Sequence, residues 1–133
     1  MTRKNKSEAD VPLILLVDDI PQNIQILHEI LSDENYSFAI AASGKETFAL
    51  LEKKLPDLIL LDIMLPGIDG YEVCEIVRLN PKWKHTKIIF LTAKGRDVDV
   101  AKGLVLGADE YIIKPFANSE VVEKVKELLA GPI

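Results

Sequence analysis

Short apolar runs alternate along this chain with longer stretches in which apolar residues recur every three or four positions. A continuous run of aliphatic and β-branched residues is typical of a strand that is buried on both faces. Five such runs follow one another, at residues 13–17, 38–42, 58–61, 88–91 and 111–113. The pattern therefore predicts five short, buried strands.

The stretches between the runs carry helical signals. Apolar residues at spacings of three and four mark one face of a helix in two sets: Ile24, Leu27 and Leu31, and Val121, Val125 and Leu128. Other positions favour helix starts, through capping-box spacing or a proline in the first turn: Ser43 with Glu46, Asp69 with Glu72, and Pro21. We therefore expect five strand-helix units in succession.

This alternation predicts the fold class. Strands that are separated by crossover helices pair in parallel through right-handed connections, so we expect an α/β fold with a doubly wound sheet covered by helices on both faces. Residues 1–10 are polar without periodicity and are predicted to be a disordered tail. Residues 11–130 form the predicted domain, and residues 131–133 are a tail or the start of a linker.

Length, composition and charge narrow the function classes. The chain has 133 residues, which suits one domain, and 48% apolar content predicts a folded globule. A net charge of −5 disfavours direct binding to nucleic acid or to an acidic membrane surface. The only cysteine, Cys74, cannot form an internal disulfide, and the apolar runs are too short to span a bilayer. We expect a cytoplasmic protein.

Polar side chains follow four of the predicted strands directly. Asp18 and Asp19 come after the first strand, Asp62 after the third, Thr92 after the fourth and Lys114 after the fifth. In an open parallel sheet, ligands bind outside the carboxyl ends of the strands. These side chains should therefore meet at one edge of the sheet.

Three neighbouring carboxylates repel one another unless a positive charge lies among them. Mg²⁺ takes oxygen ligands and needs only one or two carboxylates, so it suits this edge. A carboxylate that attacks phosphorus forms an acyl phosphate, while the cation and Lys114 would screen the phosphoryl oxygens and Thr92 would donate a hydrogen bond. The residue types therefore favour magnesium-dependent phosphoryl transfer.

The chain resembles the receiver domain of two-component response regulators. The resemblance is carried, in the order of the family, by ILLVDD at 14–19, DLILLD at 57–62, MLPG at 64–67, DG at 69–70, LTA at 91–93, GADEY at 107–111 and KPF at 114–116. It covers nearly all of the chain after the tail. It implies a flavodoxin-like, three-layer α/β/α fold with strand order 2-1-3-4-5 and five helices.

The resemblance also implies the roles of the site residues. Asp62 would be the phospho-acceptor, taking its phosphoryl group from the phosphohistidine of a histidine kinase or phosphotransfer protein, or from a small phosphodonor. Mg²⁺ would be held by Asp18, Asp19, Asp62 and the backbone carbonyl of Met64, with Asp19 as a direct ligand. Lys114 would contact the phosphoryl group.

A switch is implied as well. Thr92 would move toward the phosphoryl group and Tyr111 would rotate inward, which would reshape the surface of the fourth helix, fifth strand and fifth helix. This surface would control an output domain or an effector protein, and could form a homodimer on phosphorylation. The Lys114–Pro115 bond would be cis. Such a domain catalyses only its own phosphorylation and dephosphorylation.

Two residues near the implied site bear on the lifetime of the acyl phosphate. Met64 and Lys94 each lie two positions after a site residue, and the resemblance places them beside the path of the hydrolytic water. Neither is a good base at neutral pH, so our hypothesis is slow dephosphorylation. Residues 18–23 also resemble the start of receivers in hybrid sensor kinases and diguanylate cyclase regulators, so the chain is either a stand-alone receiver or a fragment of a longer protein.

Simpler interpretations exist for each residue alone. Asp18 or Asp19 could cap the helix that Pro21 begins, Asp62 could be a turn residue, and Lys114 could be an ordinary exposed lysine.

Three other functions for the whole protein also remain. A flavin- or nucleotide-binding protein should have a glycine-rich loop after its first strand, and a phosphohydrolase with an aspartyl intermediate should have Asp-x-Asp there. A receiver-like module that is never phosphorylated is the third.

Overall fold

The computed structural model describes residues 11–93 and 97–130. Within these ranges, strands and helices alternate in the order β1 (Leu13–Val17), α1 (Pro21–Leu31), β2 (Ser37–Ala41), α2 (Gly44–Lys53), β3 (Leu58–Asp62), α3 (Gly70–Leu79), β4 (Lys87–Thr92), α4 (Asp97–Val105), β5 (Glu110–Ile113) and α5 (Asn118–Ala130). Each predicted strand lies within one residue of its observed bounds. The tail predicted at residues 1–10, residues 131–133 and Lys94 lie outside the described residues.

The five strands form one parallel sheet in the order β2-β1-β3-β4-β5. This confirms the doubly wound sheet that the residue pattern predicts and the flavodoxin-like strand order that the resemblance implies. The chain winds outward from β1 in both directions because each helix returns it to the amino end of the sheet before the next strand begins. The described helices include none that is long and apolar enough to cross a membrane.

Two apolar cores separate the sheet from its helices. Leu15, Val17 and Ile59 point to the face where α2 and α3 pack. Ile14, Leu16 and Leu58 point to the opposite face, which α1 and α5 cover. Alternate strand residues can be apolar on both faces only because each face meets a helical layer, and this explains why the strands read as continuous apolar runs.

The outer strands differ from the prediction that every strand is buried on both faces. In β1, β3 and β4, nearly every side chain is buried, but β2 is half-buried and its Ile40 is 55% exposed. Only Ile112 is buried in β5. The prediction is wrong for these two strands because an edge strand has a neighbour on one side only, so the helices cover it incompletely.

Local signals begin the helices largely as expected. Asp69 and Glu72 form a reciprocal capping box at α3, while Ser43 accepts a hydrogen bond from the backbone N–H of Glu46 at α2. Helix α1 begins at Pro21 without a side-chain cap. The alternative in which Asp18 or Asp19 caps this helix is therefore not what the structure shows.

The amino ends of β4 and β5 are tied together by Arg78 of α3. Its guanidinium donates to the backbone oxygens of Gly107, Lys84 and Thr86, at 2.7, 3.1 and 2.6 Å, and to Oδ2 of Asp109 at 2.8 Å. The same carboxylate oxygen accepts from the backbone N–H of Ile88 at 2.8 Å. At this edge of the sheet, the planar guanidinium is therefore surrounded by acceptors placed to receive its N–H donors.

Candidate functional site

The strand register brings the predicted site residues to the same edge of the sheet. Val17 pairs with Leu61, so Asp18 and Asp62 follow neighbouring positions on adjacent strands. The backbone N–H of Lys114 donates to the carbonyl oxygen of Thr92 at 2.7 Å, which holds the end of β5 beside the end of β4. The predicted convergence is therefore observed for residues that lie far apart in the sequence.

Asp18 is buried at the end of β1, and its side chain has no exposed surface. Its Oδ1 accepts a hydrogen bond from the backbone N–H of Ile20 at 2.9 Å. Its Oδ2 accepts from Nδ2 of Asn23 at 3.1 Å and lies 3.8 Å from Nζ of Lys114. Both carboxylate oxygens therefore have partners, which a buried charge requires. Asp19, the next residue, is exposed.

Asp62 ends β3 and is 6% exposed. Its Oδ1 accepts from the backbone N–H of Met64 at 2.9 Å, and its Oδ2 lies 3.4 Å from Nζ of Lys114. The Asp62 carboxyl also interacts with that of Asp18. One ammonium group therefore serves two neighbouring carboxyl groups.

The pKa of Asp62 is raised from 3.8 to about 6, mainly because burial disfavours the charged carboxylate and also because the Asp18 carboxyl is close, while the hydrogen bond from the Met64 N–H and the charge of Lys114 oppose this rise. At neutral pH, Asp62 is still mostly ionised. Among the residues that the structure describes, the site therefore has two buried carboxylates and one lysine, with less positive than negative charge. This is an arrangement that attracts a cation.

Thr92 and Tyr111 lie on the α4 side of this edge. Thr92 ends β4 and is 7% exposed, and Tyr111 is half-buried in β5. Both line a cavity of about 10 Å³ that Phe90 and Gly103 also border. The Lys114–Pro115 peptide bond, which follows β5, is cis. The two predicted switch residues thus share one small space between the sheet and α4.

Comparison with known proteins identifies the family. Residues 14–126 match the response regulator receiver domain. The chain belongs to this family. The receiver domain is 46% identical to the transcriptional regulatory protein ResD of Bacillus subtilis over 116 residues, which are 87% of this chain and 47% of ResD.

Two further relatives support this assignment. The DNA-binding response regulator MtrA of Mycolicibacterium smegmatis is 40% identical over 116 residues, which are 87% of this chain and 50% of MtrA. The signal receiver domain of a signal transduction histidine kinase from Syntrophus aciditrophicus superposes with a TM-score of 0.85 at 33% identity, covering 91% of this chain and 92% of that one. The receiver spans about half the length of the curated relatives named here.

The oxygen groups of this receiver fit magnesium, which is typical of the family. The described residues hold no cluster of three acidic, histidine or cysteine side chains placed to bind a metal ion. Mg²⁺ does not need one, because it keeps several waters and is bound through one or two carboxylates. Asp18 and Asp62 supply such carboxylates, with too little positive charge between them. The ligand roles of Asp19 and of the Met64 carbonyl stay predictions.

Two residues of the receiver site were not predicted from the sequence. Asn23 donates to Asp18, but an asparagine in a first helical turn has no distinctive pattern. Gly70 begins α3 directly against the backbone at the end of β3, and a Cβ there would lie 2.5 Å from the backbone carbonyl oxygen of Asp62 and 2.7 Å from Cα of Ile63. Its position after a capping aspartate was a helix-start signal, but the close backbone contact depends on the tertiary structure.

Proposed function

We propose that this receiver accepts a phosphoryl group on Asp62, with Mg²⁺, from the phosphohistidine of a histidine kinase or phosphotransfer protein, or from a small phosphodonor. The observation that carries the proposal is the buried pair of Asp18 and Asp62, with Lys114 only 3.4 Å from Asp62. A structural ion pair would match one carboxylate to one cation. Here, the described residues place a second carboxylate beside the same lysine, and the excess negative charge favours binding of a divalent cation.

The transfer forms one bond and breaks one. A carboxylate oxygen of Asp62 attacks phosphorus, the new O–P bond forms, and the N–P bond of the phosphohistidine breaks, with its electron pair returning to the imidazole. Lys114 neutralises charge on the phosphoryl oxygens, and the Thr92 hydroxyl donates a hydrogen bond to them. The domain would catalyse only its own phosphorylation and dephosphorylation.

Asp18, Asp19, Asp62 and the backbone carbonyl of Met64 would hold the magnesium ion. When bound, it screens the repulsion between the carboxylates and the incoming phosphoryl oxygens. The protein's own contribution is to keep Asp18 and Asp62 buried side by side, so that neither can turn away into solvent.

The readout of phosphorylation would be the surface formed by α4, β5 and α5. Thr92 and Tyr111 border the same small cavity, so a movement of Thr92 toward the phosphoryl group would free space for the tyrosine ring. One added dianion thus biases a packed element between two arrangements. This surface would control an output domain or an effector protein, or form a homodimer on phosphorylation.

The named relatives support an output function that lies outside the receiver itself. ResD is named a transcriptional regulatory protein and MtrA a DNA-binding response regulator, and the receiver aligns with about half of each. We infer that nucleic-acid binding, where it occurs, belongs to an output domain or effector rather than to this acidic domain, which carries a net charge of −5.

The proposal is tested by intact mass spectrometry after incubation with acetyl phosphate and Mg²⁺. We expect one phosphoryl mass on the wild type, none on Asp62→Asn, and full labelling of the control Asp33→Asn, which changes an exposed aspartate in the turn after α1. Absence of label on the folded wild type, or undiminished label on Asp62→Asn, would overturn the proposal.

A further inference from the structure

Asn23 lies in the first turn of α1 and reaches back to the end of β1. Its Nδ2 lies 3.1 Å from Oδ2 of Asp18, and the asparagine is half-buried. Only the NH₂ end of the amide can face a carboxylate, because the carbonyl end would repel it. The contact is therefore a charge-assisted hydrogen bond with a defined direction.

This bond matters because Asp18 has few other partners. Its Oδ1 is held by the backbone of Ile20, so the turn after β1 fixes that oxygen. Besides the neighbouring Asp62 carboxyl, the described side chains near its Oδ2 are those of Asn23 and Lys114, and the ammonium of Lys114 is 3.8 Å away and closer to Asp62, at 3.4 Å. Asn23 is thus the nearer of the two side chains that hold Oδ2.

We propose that Asn23 is a positioning residue that orients the Asp18 carboxylate toward Asp62 and so sets the affinity of the site for magnesium. The inference rests on the function proposed above. Donors that hold a ligating carboxylate restrict its rotation, and their removal typically weakens metal binding about 10- to 100-fold. Asn23 would exert this effect without touching the phosphoryl group.

The test compares Asn23→Leu with the wild type. Leucine has nearly the shape of asparagine but no donor, so it separates hydrogen bonding from packing. Magnesium affinity is measured from the rise in melting temperature during a Mg²⁺ titration of the chelator-treated protein, a readout that does not depend on phosphorylation. We expect at least about tenfold weaker affinity in Asn23→Leu. Asn23→Ala serves as a second variant if the leucine does not fold.

The matched control is Gln22→Leu, which changes the exposed neighbour in the same helical turn. It should bind magnesium as the wild type does. If Asn23→Leu also binds as the wild type does, the role of Asn23 is wrong, while labelling of wild-type Asp62 leaves the proposed function intact. If the wild type neither binds magnesium nor becomes labelled, the proposed function fails and this inference fails with it.

Discussion

A carboxylate at the amino edge of the sheet, where the strands begin, and one at the carboxyl edge, where they end, have opposite environments. At the amino edge, Oδ2 of Asp109 has the Arg78 guanidinium and the Ile88 N–H at 2.8 Å each, although 28% of its side chain is exposed. At the carboxyl edge, the Asp62 side chain is only 8% exposed, yet its cation is 3.4 Å away and is shared with Asp18.

The comparison shows where the fold stabilises itself and where it does not. Burying a carboxylate costs free energy unless partners compensate for its lost hydration. The more buried carboxylate has the poorer partners, so the carboxyl edge is not arranged for stability. The amino edge holds the strands in place, and the negative charge that remains at the carboxyl edge can attract a cation.

The largest expected loss of stability comes from removing the Arg78 contacts at the amino edge. Arg78→Met should lower the free energy of unfolding by about 3 kcal/mol, because the acceptors that Arg78 serves lose their shared donor. Urea unfolding measures this change. The control Lys82→Met, in the exposed loop after α3, should change stability by less than about 0.5 kcal/mol. The folded Arg78 variant should still label at Asp62; loss of label with an intact fold would show that the two edges are not separate in function.

Removing the charge of Asp62 at the carboxyl edge should, by contrast, raise the free energy of unfolding. The pKa of Asp62 is raised from 3.8 to about 6 in the folded protein, so the folded state holds its proton more tightly than the unfolded state. The stability that this proton contributes is complete below pH 3.8 and is lost as the pH rises through about 6.

In metal-free buffer, Asp62→Asn should therefore be more stable than the wild type, by about 3 kcal/mol at pH 7.5 and about half as much at pH 5. Urea unfolding at both pH values checks the sign and the trend. Added magnesium should narrow the gap by stabilising the wild type. An asparagine variant that is less stable at pH 7.5 would contradict the view that this edge is short of positive charge.

Displacing the backbone at Asp62 without changing any charge should have a smaller effect on the free energy of unfolding. Gly70→Ala places a Cβ within 2.7 Å of the backbone at Asp62 and Ile63, so the loop after β3 must shift. We expect a loss of about 1.5 kcal/mol, since overpacking is partly offset by the better helix propensity of alanine. Phosphorylation from acetyl phosphate should slow as well. Gly67→Ala, in the same loop, separates a displaced backbone from a change in backbone conformation: its φ is +73°, which is unfavourable for alanine, but its Cβ would meet nothing within 4 Å. Equal labelling rates in Gly70→Ala and the wild type would argue against a precise position for Asp62.

The smallest effect concerns the lifetime of the acyl phosphate. Met64 is 73% exposed beside Asp62, and its thioether can neither activate nor orient water. Met64→Asn should speed the spontaneous loss of label roughly threefold, which corresponds to about 0.7 kcal/mol in the barrier. The decay of labelled protein after removal of phosphodonor measures the rate, and Lys94→Glu provides an independent comparison. Rapid decay in the wild type, unchanged in both variants, would end the hypothesis of slow dephosphorylation.

Much of the fold was predictable because its signals are local. Runs such as residues 58–61 predicted strands, and the Asp69 and Glu72 pair predicted the start of α3, which has a reciprocal capping box. The meeting of Asp18, Asp62 and Lys114 was also predictable, since the ends of parallel strands share one edge. The exposure of Ile40 was not predictable, because an apolar run does not indicate whether its strand lies at the centre or the edge of the sheet.

The sequence by itself determined the order of strands and helices and the residue types at the strand ends, since both follow from apolar periodicity and the position of each polar residue after its run. Only the tertiary structure decided how those residues interact. Asn23 holds Asp18, Arg78 donates to acceptors in the two loops that precede β4 and β5, and Gly70 touches the Asp62 backbone. Such contacts depend on the distances between elements, and the packing of the two helical layers on the sheet sets those distances.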